Sequence, residues 1–268
     1  MSTIRVFAAA VLFFVVGGAH AVPDSVAWNF WRAEGTQADV DHSAWQTLLD
    51  DYVIIDPQGV NRVRYGVLGS EARPRLRRYL DQLAAVDPRS LTRGAQQAYW
   101  INLYNALTIE TVLDYPRKKS ILRMGRKLLA IGPWDDHRIE IAGQKITLND
   151  IEHRILRPLF GDERVHFAVN CASVSCPNIA KTAYTAGNLD ELLDTQVAAY
   201  LKHPRGLRQT ERGFELSTIF DWYRIDFAAD EKGLREWLAA RRPDIAPGLQ
   251  NLSRKLSYEY NWDLNAAD

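Results

Sequence analysis

The stretch Thr92–Leu113, TRGAQQAYWINLYNALTIETVL, decides the fold. Ala95, Ala98, Tyr99, Ile101, Ala106, Ile109, Val112 and Leu113 recur at spacings of three and four, the period of an α-helix. The pattern ends ahead of Pro116, which cannot continue a helix. The run is apolar nearly all round, so this helix belongs inside the protein. Asn102 and Asn105 sit on it one turn apart, where a buried amide is costly unless each donor and acceptor is met.

Outward from this helix, Asp41–Tyr52 carries Trp45, Leu48, Leu49 and Tyr52 at helical spacing and stops before the turn signal Asp56-Pro57-Gln58-Gly59. Leu76–Val86 reads as a second helix, ended by Asp87-Pro88. Downstream, Arg138–Ile141 and Lys145–Leu148 alternate around Ala142-Gly143-Gln144, a hairpin. Asn149 or Thr147 caps a helix over Asp150–Leu156, closed by Pro158, which puts Glu152 and His153 in its first turn. Val165–Val169 reads as a short strand running into Asn170 and Cys171. Leu189–Leu201 is an amphipathic helix, and Leu207–Gln209 with Phe214–Leu216 make a second hairpin around Glu211-Arg212-Gly213. Helices outnumber strands and do not alternate with them. The expected fold class is therefore α+β: a helix-rich single domain with a small antiparallel sheet.

The first residues have another purpose. Arg5, the apolar run Val6–Val16 and the small-x-small site Ala19-His20-Ala21 form a secretory signal peptide over 1–21. The run is too short to span a bilayer. The expected mature chain is one domain, 22–268, exported to the periplasm or the extracellular space with no stable membrane anchor. Lys+Arg and Asp+Glu number 33 each, so no net field favours nucleic acid. The local run Arg73, Arg75, Arg77, Arg78 reads as the solvated face of a helix.

Chemistry centres on Asn170-Cys171-Ala172-Ser173-Val174-Ser175-Cys176-Pro177. A thiolate can attack a carbonyl near neutral pH when its surroundings lower the thiol pKa. The amides of Ala172 to Ser175 are candidates for an oxyanion hole. If 165–169 is a strand, His166 and Cys171 face opposite ways, because odd separations change face. That leaves His153 as the base by elimination, with Glu152 or an asparagine to orient it. A Cys171–Cys176 disulfide would close only a small loop and contribute little stability. Cys171, Cys176, His153 and His166 are the residue types of a zinc site, but their spacing does not suit one. No metal and no cofactor is expected. Trp222, Tyr223 and Phe227 read as core, with Asp221 or Asp226 able to supply a buried carboxylate.

Four motifs resemble the domain of unknown function 547 family, as an exported bacterial member. They are Tyr99–Leu107, Leu148–Leu156, Val165–Pro177 and Asp221–Phe227, a core of about 95–227. In that family, plant members often carry serine at the position of Cys176 and lack His166, which implies that the disulfide is not the common purpose. The resemblance implies a shared polar set of Asn102, Asn105, Glu152, His153 and Cys171. Its roles look like those of a papain-like or transglutaminase-like thiol site with His ahead of Cys. Binding residues would be Asn170, Ser173, Ser175, His166, Trp100 and Trp222. The resulting expectation is a thiol-dependent hydrolase or acyltransferase acting on an amide or thioester in a small molecule or peptide. A non-catalytic envelope protein-binding module and a redox protein using Cys171 and Cys176 are the rivals.

Overall fold

The computed structural model describes residues 23–126 and 132–267, so the leader assigned to 1–21 lies outside the described residues. The fold is α+β. Its centre is the helix Arg93–Asp114 (α4), in which every residue from Ala95 to Leu113 is buried. Around it pack Ser43–Tyr52 (α1), Tyr65–Glu71 (α2) and Arg73–Ala84 (α3), forming one core with Trp31, Trp45, Tyr79, Tyr99 and Trp100. Each fully buried side chain of leucine size contributes roughly 1.5–3 kcal/mol. Arg77 and Arg78 of α3 are exposed, as the sequence suggests, while Arg73 is partly covered. Arg73 and Arg77 both reach Glu110 on α4, at 2.8 and 2.9 Å, and Arg73 also pairs with Asp114.

Two short antiparallel ribbons flank this body. Val53–Ile54 (β1) pairs with Arg62–Val63 (β2), and Ile139–Ile141 (β3) with Gln144–Ile146 (β4). The β3–β4 turn holds Ala142 at φ 47° and Gly143 at φ 72°, as a two-residue turn with both centres left-handed requires. A second core gathers Phe167, Tyr200, Phe214, Phe220, Leu234 and Leu238. It joins Leu189–Lys202 (α5) to a three-stranded sheet of Leu207–Gln209 (β5), Gly213–Ser217 (β6) and Lys255–Glu259 (β7). The β5–β6 pair is antiparallel as expected; β7 adds to β6 in parallel. Parallel pairing needs a long crossover. Ile219–Trp222 (α6), Arg224–Phe227 (α7), Glu231–Arg241 (α8) and Ala246–Gln250 (α9) supply it. Among the described residues no helix is long and apolar enough to cross a membrane.

Two elements next to the cysteine motif differ from expectation. The strand over Val165–Val169 is a 3-10 turn, Glu163–Phe167, started by the Asp162 carboxylate, which accepts from the Arg164 amide at 3.0 Å. The reason is a tertiary contact. The Ala168 carbonyl and the Asn170 amide find their partners in the Asn105 side chain, at 2.9 and 2.8 Å, and so need no neighbouring strand. The helix expected over Asp150–Leu156 runs as a π-helix to Phe160 and includes Pro158. Thr147, not Asn149, caps it: its hydroxyl accepts from the Asp150 amide at 3.0 Å. Extended π-winding is rare and is found mostly at functional sites.

Candidate functional site

The chain passes from the second core to the first between Phe167 and Ala168, and the polar residues collect at that seam. Asn102 and Asn105 prepare it from α4. The Asn102 amide grips both backbone groups of Tyr184, at 2.7 and 3.1 Å, while Asn105 grips Ala168 and Asn170. With both ends of each amide engaged by backbone, these two are positioning residues.

Asn170 closes the loop it opens, donating to the Pro177 carbonyl at 2.7 Å and accepting from the Ala172 amide at 2.9 Å. Ala172 takes φ 61°, which swings the chain sharply after Cys171. The C-terminal segment then pairs along the loop. The Val174 and Ser175 amides donate to the carbonyls of Asp263 and Asn261, at 2.8 and 3.1 Å. The amides of Ala172, Val174 and Ser175 are therefore engaged within the protein, contrary to their expected part in an oxyanion hole.

What the loop builds is a nest for sulfur. Both cysteines are free thiols, Cys171 half-buried and Cys176 buried. The Cys171 sulfur lies 3.1 Å from the Tyr260 hydroxyl and 3.2 Å from the Ser173 hydroxyl, and these hydroxyls are 3.1 Å apart. The two cysteines meet through the Cys171 amide, which donates to the Cys176 sulfur at 2.7 Å. Burial pushes the Cys171 thiol up. The Cys176, Ser173 and Tyr260 donors outweigh that, and the net shift is downward. Cys176 moves the opposite way, raised by burial and by the neighbouring Cys171, so the pair holds one dissociable thiol and one that stays protonated. Tyr260 likewise stays a phenol, raised first by burial.

A second group lies alongside. His166, expected to face away, is buried with its Nε2 2.7 Å from Asp226 and its Nδ1 3.9 Å from Glu152. The parity argument fails because no strand is there to impose alternation. Asp226 also accepts from Arg157 at 2.6 and 3.1 Å. Burial raises the Asp226 carboxyl, yet His166 and Arg157 together hold it far below the usual carboxylate range. An ionised carboxylate only accepts, so His166 Nε2 carries a proton and Nδ1, buried without a partner, is its open nitrogen.

His153 is buried too, and its Nδ1 is 3.1 Å from Arg157 Nη1. Arginine can only donate, so this Nδ1 accepts and the neutral ring bears its proton on Nε2. Burial is the largest cause holding its pKa below the ordinary histidine value. Glu152 accepts from the Tyr104 hydroxyl at 3.0 Å. Burial raises its carboxyl, but His153, His166, Tyr223 and Tyr104 bring it net downward. Tyr223 stacks on His166 at 4.0 Å, and Tyr104 and Tyr223 feel the charges of both Glu152 and Cys171.

Residues 88–201 match the family described as "Protein of unknown function, DUF547". This part of the chain belongs to that family. The DUF547 span holds Asn102, Asn105, Glu152, His153, His166, Cys171 and Cys176; Tyr223, Asp226 and Tyr260 lie beyond it. No curated protein and no solved structure matches the chain.

Not every expected site residue joins. Trp100 is fully buried, edge-on to Trp31 and Tyr99, and belongs to the core. Trp222 is half-buried and packs with Tyr260 at 4.8 Å and Trp262 at 5.4 Å, a rim beside the thiol. Ser175 accepts from the Asn261 amide at 2.8 Å. Tyr260 was missed altogether: the alternation Tyr258, Tyr260, Trp262 in an otherwise polar segment was its only signal. Among the described residues no group of three or more His, Cys, Asp or Glu is placed to hold a metal ion.

Proposed function

We propose that the chain is a thiol-dependent hydrolase or acyltransferase acting on an amide or thioester, with Cys171 as nucleophile. The observation that carries this reading is the pair of hydroxyls on one half-exposed sulfur, Tyr260 at 3.1 Å and Ser173 at 3.2 Å. Such donors favour the thiolate, so the nucleophile is prepared before substrate arrives. Attack on the carbonyl carbon forms a C–S bond and moves the carbonyl electron pair onto oxygen. The Tyr260 phenol, protonated and next to the sulfur, is the donor for that oxyanion. His166 Nδ1 takes the proton of the Cys171 thiol as the thiolate forms, and on collapse the imidazolium gives that proton to the departing amine or thiol. Water or an acyl acceptor then attacks the acyl-thioester, passing its proton to the same imidazole, and the freed Cys171 sulfur takes it back as the acyl group leaves.

Of the two imidazoles, His166 suits proton transfer better. Asp226 fixes its tautomer and leaves Nδ1 open, the arrangement that orients a general base. His153, with its Nδ1 engaged by Arg157, serves as an Nε2–H donor, and Glu152 is the counter-charge to both rings.

The test is the pH dependence of Cys171 alkylation by iodoacetamide, with Cys171→Ala as the blank. The midpoint is expected below the ordinary thiol value of ~8.5. An activated acetyl ester should leave one acetyl group on the peptide containing Cys171. A midpoint at or above the ordinary value, with no trapped acetyl group, overturns the reading. Redox cycling of the two thiols is the rival, favoured by the closeness of the Cys176 sulfur to Cys171, whose amide donates to it at 2.7 Å. It requires a Cys171–Cys176 disulfide in protein purified without reductant. We place the site of action outside the cytoplasm on the strength of the 1–21 leader; a mature N-terminus other than Val22 on secreted protein would count against that cleavage.

A further inference from the structure

An open cleft of about 400 Å³ adjoins the thiol nest, walled by Ser175, Arg205, Arg208, Glu259, Tyr260 and Asn261 among others. Tyr260 belongs to both places: it lines the cleft, and its hydroxyl touches the Cys171 sulfur. Whatever occupies the cleft is therefore one side chain away from the nucleophile.

The two arginines in its wall are not equivalent. Arg208 holds Glu215 through two hydrogen bonds, at 2.5 and 2.8 Å, and Glu259 adds to its negative surroundings. Its charge is met twice. Arg205 donates only to neutral acceptors, the Val174 carbonyl at 3.0 Å and the Asn178 side chain at 2.6 Å, and its buried Nε has no partner. No carboxylate among the described residues forms an ion pair with it. The buried side chains of Arg157, Arg138 and Arg235 do have one, in Asp226, Asp114 and Glu231. Part-buried Arg93 and Arg254 resemble Arg205 in donating to neutral acceptors and lying over an aromatic ring, which for Arg205 is Tyr200 at 5.4 Å, but of these three Arg205 is the one that lines the cleft. A guanidinium drawn out of water without a counter-ion is costly, and a bound carboxylate relieves that cost with paired hydrogen bonds.

We infer that this cleft is a carboxylate-binding subsite, in which Arg205 receives the free carboxylate of the amide or thioester on which Cys171 acts. The inference rests on the thiol reading for what happens next to the cleft, while the subsite itself rests on Arg205 and the cavity. It narrows the substrate class to acyl compounds bearing an anionic end, such as a peptide with its C-terminal carboxylate close to the bond that is broken. The bond to Val174 means that Arg205 also braces the cysteine loop, so its charge and its bracing have to be separated by experiment.

The experiment titrates the full mature protein with N-acetylleucine and, separately, N-acetylleucinamide, reading tryptophan fluorescence from the Trp222–Trp262 rim. The acid and the amide share one apolar body and differ in the carboxylate alone. The acid is expected to bind about tenfold more tightly, or more. Arg205→Gln should erase the difference, Arg205→Lys should keep part of it, and Glu259→Gln should strengthen acid binding severalfold by removing a nearby negative charge. Equal affinity for acid and amide, no saturable binding of either, or an acid preference that survives Arg205→Gln overturns the subsite. Should Arg205→Gln fail to fold, weaker acid binding by Glu259→Gln overturns it independently. Alkylation of Cys171 is read separately. An acid preference with an ordinary thiol midpoint keeps the cleft and sinks the thiol reading; a lowered midpoint with no preference does the reverse.

Discussion

The thiol nest and the imidazole–carboxylate group both act on the charge balance of Tyr104 and Tyr223, yet they hold charge in opposite ways. Around Cys171 the hydrogen-bonding partners of the sulfur are two neutral hydroxyls, those of Ser173 and Tyr260. Around Asp226 the partners are a guanidinium and an imidazole, with Glu152 opposite. The difference teaches where stability and reactivity sit. Neutral donors can poise a thiolate that remains free to react, because no fixed cation neutralises it. Ion pairing in a buried place instead locks side chains, and breaking one partner leaves the other uncompensated.

The sharpest way to break this comparison is Asp226→Ala. It strands Arg157, whose side chain is 4% exposed, together with His166. Removing one partner of a buried pair costs about 3–5 kcal/mol, and because Asp226 is itself 19% exposed the lower end is expected in urea unfolding. Cys171→Ala should lose all alkylation while costing no more than about 1 kcal/mol. If the two variants lose stability equally, the division of labour between the regions is wrong.

Next in size is Tyr260→Phe, which removes a donor from sulfur without disturbing the ion pairs. Its alkylation midpoint should rise by about one unit, roughly a tenfold drop in rate at neutral pH. Tyr104→Phe is the matching change in the other region: it takes a donor from buried Glu152 and should cost about 1–2 kcal/mol, with the thiol midpoint little changed.

The smallest effect is in the pH dependence of stability. His153 has its pKa depressed in the fold, chiefly by burial, so the folded state binds its proton less readily than the unfolded chain does. Its contribution is present above the unfolded value of ~6.5 and is lost as the pH falls toward the folded one. His153→Gln should flatten unfolding stability against pH just below that value; an unchanged slope would assign the titration to another group.

Much of this was legible in the sequence. The 3.6-residue period of Ala95–Leu113, the turn at Ala142-Gly143 and the helical spacing in Leu189–Leu201 are local properties, and each formed the element expected. The two buried asparagines were readable as polar groups in need of partners, though not which partners. Strand Val165–Val169 was misread because five apolar or aromatic residues fit a strand or a turn equally well, and the choice fell to Asn105, some sixty residues earlier in the chain. That misreading supplied the basis of the face-parity argument, which had kept His166 as a binding residue but set it aside as the base for Cys171.

Sequence alone determined, then, the central helix, the α+β class, and the concentration of cysteine, histidine and carboxylate in a few motifs, because periodicity and residue type are written along the chain. Tertiary structure alone decided that β7 joins β6 in parallel, that Tyr260 reaches the Cys171 sulfur, and that Asp226 and Arg157 hold His166 and His153. Those contacts join positions up to 89 residues apart, and at such separations only packing, not local propensity, sets which groups meet.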